Sequence, residues 1–183
     1  MFAIFFYTII AINCVAPTKL SKRPFEFEIN KFTWHKFDVL VKQFECSIVK
    51  LANSKYNTGL MFELSKEMPR NLNLGLVICV KPQKGRKFIK FMDTKVNVCN
   101  LLEHVMAVPI MKYIMEKVTR NSNIPISCPL RGNYIYNITN VEISSEIFPP
   151  YTPVTEFNFT LNLLDTKKIY ATYTIEGETK RIS

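Results

Sequence analysis

The side chains with the most chemical reach in this sequence are five cysteines, at positions 14, 46, 79, 99 and 128, and two histidines, His35 and His104. No two cysteines form a C-x-x-C pair and neither histidine lies close to one, so the ligand spacing of a zinc site is missing. His104 follows Glu103 directly, and adjacent helical residues do not share a face. His35, next to Trp34, reads as a surface or packing residue. Nucleophile elbows, phosphate-cradling glycine loops and His-Glu zinc helices are all missing. Nothing brings a nucleophile, a base and an orienting group together. The expectation is therefore a binding protein and no enzyme, with no catalytic residue, no metal and no cofactor.

What remains for the cysteines is cross-linking, and the N-terminus points to a compartment that permits it. Phe2 to Ile12 form an apolar run broken only by Thr8, too short for a bilayer span of roughly 20 residues. Cys14 and Ala16 then supply the small residues of a signal-peptidase site, so residues 1–16 are expected to be a leader and residues 17–183 a single secreted, extracellular domain. Imperfections are the missing basic residue before the run and Pro17 just after the cut. Loss of the leader leaves Cys46, Cys79, Cys99 and Cys128, an even count that suggests two disulfides with three possible connectivities. The preferred pairs are Cys99–Cys128 and Cys46–Cys79. The first closes a loop worth roughly 3–4 kcal/mol by the loop-entropy estimate. The competing reading for Cys79 is a buried free thiol inside Leu76-Val77-Ile78-Cys79-Val80. Two sequons, at Asn137 and Asn158, would carry glycans if the chain is exported and each Asn faces solvent.

The elements that must position these groups read mostly as strands. The chain has 183 residues, 48% hydrophobic and 21% charged, which fits one folded domain and argues against disorder. Phe (14) and Tyr (8) outnumber Gly (5), which favours strands. Apolar–polar alternation recurs at Phe25-Glu26-Phe27-Glu28-Ile29, at Leu60, Phe62 and Leu64, and from Leu72 to Val80. It returns from Phe157 to Leu163 and from Ile169 to Ile175. Turns are expected at Pro82-Gln83-Lys84-Gly85-Arg86 and Asp165-Thr166-Lys167-Lys168. About seven or eight such strands imply a mainly β fold, a two-sheet antiparallel sandwich or a barrel. Residues 100–119 differ: Ile110, Met111, Ile114, Met115 and Val118 draw one stripe on a helix that Pro109 interrupts. A net charge of +9 suits an anionic partner, such as a lipid surface or an acidic receptor. Scattered lysines and the absence of a nucleic-acid fold signature make nucleic acid an unexpected partner.

The order of leader, cysteines, helical segment, Cys128-Pro129, Leu130-Arg131-Gly132-Asn133-Tyr134 and the proline loop Phe148-Pro149-Pro150-Tyr151-Thr152-Pro153 resembles the ML lipid-recognition superfamily. It is most similar to the insect branch that includes CheB-type chemosensory proteins, over roughly Phe37 to Ile175. The resemblance implies a β-sandwich whose sheets splay to hold a lipid or other hydrophobic small molecule. It further implies detection or transport of pheromone or taste cues. Cys99 and Cys128 match the cysteines that flank the family's helical connection, and Cys46 matches its first cysteine. Many insect relatives place the second cysteine near the equivalent of Tyr56 to Leu60, where this chain has none. Ligand-lining candidates are Phe88, Phe91, Met106, Met111, Met115, Phe157 and Phe159, since apolar ligands need mainly apolar walls. Lys84, Arg86 and Lys87 are candidates to meet an anionic head group, though a solvated turn is the plainer reading. The alternative function is a secreted interaction or co-receptor module, with a closed core and a basic binding surface.

Overall fold

Alternation commits most of this chain to strands, because a period of two puts every second side chain on one face of a sheet. A computed structural model describes residues 24–83, 85–103, 116–148, 151–166 and 168–182. It contains eight strands: β1 (Phe25–Lys36), β2 (Val41–Ala52), β3 (Lys55–Leu64), β4 (Asn73–Pro82), β5 (Ile89–Asn97), β6 (Ile135–Ser144), β7 (Thr155–Leu164) and β8 (Ile169–Arg181). Five form one antiparallel sheet in the order β1-β8-β7-β4-β5, and three form a second in the order β2-β3-β6. The mainly β, two-sheet architecture expected from the alternation is present.

Register carries the alternation across each sheet. On the large sheet, Phe32, Ile175, Phe159, Ile78 and Met92 stand side by side on β1, β8, β7, β4 and β5. The next row is Trp34, Tyr173, Leu161, Leu76 and Thr94. On the small sheet the inward rows are Phe44, Phe62 and Tyr136, then Cys46, Leu60 and Ile138. Among the described residues these faces pack into three clusters. One gathers Leu74, Ile78, Met92, Val96, Phe159 and Leu161 around Leu76 and Leu101 on the large sheet. The other two lie toward the ends of the sandwich. Leu40, Val41, Leu64, Met68, Leu72, Leu130 and Tyr136 pack with Tyr170 and Ala171 at one end. Phe27, Tyr56, Phe157 and Ile175 pack at the other, joined by Ile143 and Phe148.

The helical connection begins at α1 (Val98–Glu103), two residues before the stripe suggests. The Asn97 side chain explains the early start, accepting the Asn100 N–H at 3.2 Å in the manner of an N-cap. Helical backbone returns at 116–120. The expected leader with Cys14, and Lys84, His104, Met106, Pro109, Met111, Met115, Pro149 and Pro150, lie outside the described residues.

Cys99 of α1 bonds to Cys128 with Cα atoms 5.3 Å apart, the first of the two preferred pairs. Glu103 reinforces that link by accepting the Cys128 N–H at 3.1 Å. The Cys46–Cys79 pair is corrected: both are free thiols. Alternation is the reason. Ile78 and Val80 turn inward, so Cys79 between them turns outward beside Asn158, while Cys46 sits on the inward face of the other sheet. The large sheet itself stands between the two sulfurs.

Candidate functional site

The space between the sheets is the candidate site, and its shape follows from how the sheets meet. They approach most closely where β2 faces β1 and β8; among the described residues no comparable approach joins β3 or β6 to β4, β5 or β7. The seam is thus closed along one long edge, and clusters close both ends. In the middle, the inward side chains of Leu60, Phe62, Ile78, Met92, Ile138, Phe159 and Leu161 are only half-buried. In a fully closed sandwich such rows interdigitate and lose contact with water. Here Ile78, Met92, Phe159 and Leu161 pack around Leu76 and Leu101, yet all seven side chains stay only half-buried and keep apolar surface accessible.

One polar spot interrupts this lining. The Tyr173 hydroxyl, on the inward face of β8, is buried and has no hydrogen-bond partner among the described residues. Thr58 lies beside it but donates its own hydroxyl to Ser47 O at 3.0 Å. Burial raises the Tyr173 phenol to about 12, and the nearby Cys46 adds to the rise. Burial likewise pushes the Cys46 thiol up to about 12. Both groups are therefore neutral at physiological pH. That keeps the gap free of charge and suits an apolar occupant.

The lining candidates fall in different places. Phe159 faces the gap, half-buried. Phe157 also points inward but belongs to an end cluster, only 8% exposed. Phe88 and Phe91 do not line the gap. Phe91 is 70% exposed at a register shift between β4 and β5 that turns it out of the sheet face. Phe88 borders a depression of about 440 Å³ on the outer surface, with Asn30, Asn158, Glu156, Glu176 and Glu178. Those carboxylates are each paired, with Lys81 (2.8 Å), Lys31 (3.9 Å) and Lys180 (3.1 Å), so the depression offers no uncompensated charge. Among the described residues no group of three or more His, Cys, Asp or Glu could hold a metal ion. Of the residues that the candidate set omitted, Leu60, Phe62, Ile78 and Leu161 are signalled by the same alternation that marks the strands, and Ile138 is not.

The sequons differ in setting. Asn137 is exposed on β6, an edge strand, with its N–H bonded to Asn123 Oδ1 at 2.7 Å. Asn158 is half-buried on the outward face of the inner strand β7, and its Oδ1 accepts from the Thr160 hydroxyl at 2.9 Å. His35 stacks loosely on Phe37, ring centroids 6.0 Å apart, at the exposed end of β1.

A family model described as a protein of unknown function (DUF1091) matches residues 74–159, from β4 into β7. No curated protein matches the chain.

Proposed function

We propose that this chain is a secreted, non-enzymatic binding protein that holds a lipid or other hydrophobic small molecule between its two sheets. The observation that carries this reading is the set of inward apolar side chains, Leu60, Ile78, Met92, Ile138, Phe159 and Leu161, left half-buried midway between two closed ends. An apolar chain laid against them gains about 25 cal/mol for each Å² of apolar surface removed from water. No elaborate polar chemistry is needed. The resemblance to the ML superfamily supports the same cargo class, and its insect branch supports a role in sensing or carrying pheromone or taste cues.

The test is native mass spectrometry of the protein secreted from insect cells, followed by thermal-shift titration with fatty acids and long hydrocarbons after delipidation. A co-purifying hydrophobic molecule, or a rise in Tm that Leu60→Trp diminishes by filling the gap, is the expected result. If nothing co-purifies and no apolar ligand raises Tm, the carrier reading fails. The interaction module with a basic surface then takes its place.

A further inference from the structure

Phe88 and Phe91 are displaced from the gap to the surface, and their new setting has its own chemistry. The stretch 86–91, Arg-Lys-Phe-Ile-Lys-Phe, is exposed throughout. Phe88 is 50%, Ile89 59% and Phe91 70% exposed, three large apolar side chains within four residues. Arg86 and Lys87 precede them, and neither has an ion pair among the described residues. The turn that carries the stretch is tied down by the Gly85 N–H, which donates to Pro82 O at 2.7 Å.

Other exposed apolar pairs lack this combination. Phe37 and Val39 flank Asp38, a carboxylate held ionised by Lys168 and the Leu40 N–H. Val49 and Leu51 flank Lys50, whose charge is already met by Glu28 at 3.0 Å. Tyr134 and Ile135 are anchored through Tyr134, whose ring packs on Tyr136 at 4.8 Å. Lys36 before Phe37 and Arg131 near Tyr134 also lack an ion pair among the described residues. Among these sites, however, the tip of the β4–β5 hairpin alone sets three large apolar side chains beside two adjacent cations without one.

Aromatic and aliphatic side chains next to Arg and Lys form the pattern that seats protein at a membrane interface, rings at head-group level and cations on anionic lipid. We propose that the tip of the β4–β5 hairpin, through Phe88, Ile89 and Phe91 with Arg86 and Lys87, docks the protein onto an anionic phospholipid surface. The proposal does not depend on what the gap between the sheets holds. Free polyanions, such as sulfated glycans, would use the two cations and leave the apolar trio idle, which separates the two sources of negative charge.

The test is flotation of the purified protein with vesicles of phosphatidylcholine, with and without phosphatidylserine. Binding is expected to the anionic vesicles and to weaken with salt. Each cation at such a surface strengthens partitioning about fivefold, so Arg86→Ala with Lys87→Ala should weaken binding roughly 25-fold. Phe88→Ser with Phe91→Ser should weaken it at least as far, and circular dichroism of these surface variants checks that the fold is kept. Failure to bind anionic vesicles, equal binding to neutral ones, or full retention by the Phe variant would overturn the proposal. Loss with the cation variant alone would reduce the contact to plain electrostatic attraction and likewise overturn the proposal.

Discussion

At the scale of single residues, the two free cysteines show how one strand position changes the chemistry of a thiol. Cys46 faces the gap, and burial holds its thiol near a pKa of about 12. The thiolate is the reactive form, so at pH 8 almost none is available. Cys79 faces outward from β4. A water-soluble disulfide reagent applied to the native protein at pH 8 is therefore expected to spare Cys46 and to label it only after unfolding in urea. Peptide mapping reads the outcome. Rapid labelling of native Cys46 would mean that it does not face the interior. Alternation in Leu76-Val77-Ile78-Cys79-Val80 already contained this result. An even cysteine count suggests a pair where the alternation from Leu72 to Val80 sets Cys79 on the face opposite Ile78 and Val80. The Cys99–Cys128 link agrees with the resemblance, in which these two cysteines flank the helical connection.

At the scale of elements, the stretch Leu130-Arg131-Gly132-Asn133-Tyr134 ties the loop after the disulfide to the core. Met68 N–H donates to Leu130 O at 2.9 Å and Asn133 N–H to Leu64 O at 2.7 Å. Tyr136, 2% exposed, accepts the Arg131 N–H through its hydroxyl at 2.7 Å. Gly132 lies so close to Lys66 that a Cβ would stand 2.3 Å from its backbone carbons. Gly132→Ala must therefore push two backbone segments apart, at an expected cost of about 2–3 kcal/mol, and urea denaturation should show it as a lower midpoint. An unchanged midpoint would refute the close approach. β4, β7 and β8 are legible in advance because each has one wet and one dry face. β2 is not, because Ile48, Val49 and Leu51 place apolar groups on both faces and blur the period. A space between the sheets is implied by the resemblance alone, since it depends on where two sheets diverge and no single strand encodes that.

At the scale of the whole molecule, the protonation of scattered groups fixes how stability varies with pH. Cys46 (ordinary value 9.0), Tyr173 and Tyr170 (both 10.0) are each raised to about 12, the first two chiefly by burial and Tyr170 chiefly by its hydrogen bond to Asp165. Lys50, Lys90 and Lys180 are also raised, mainly by hydrogen bonds to their carboxylate partners. For all six, the folded chain keeps its proton after the unfolded chain has lost it. The unfolded state then binds fewer protons, so their contribution is complete below about pH 9 and is lost as pH rises from 9 to 12. Glu28 and Asp38 are lowered by lysine partners and act at the other end: their contribution is present above 4.5 and fades as pH falls through their depressed values. Lys50, Lys90, Lys180 and Glu28 are paired in largely exposed settings, so salt screens them, whereas Cys46 and Tyr173 are shielded. Urea midpoints measured in high salt should therefore be level from pH 6 to 9 and fall from pH 9 to 12. The double variant Cys46→Ala, Tyr173→Phe should flatten much of that fall, and Tyr173→Phe should cost little at pH 7 because the hydroxyl it removes has no hydrogen-bond partner among the described residues. A fall of unchanged depth in the double variant would show that neither group is buried between the sheets, and the gap itself would have to be redrawn.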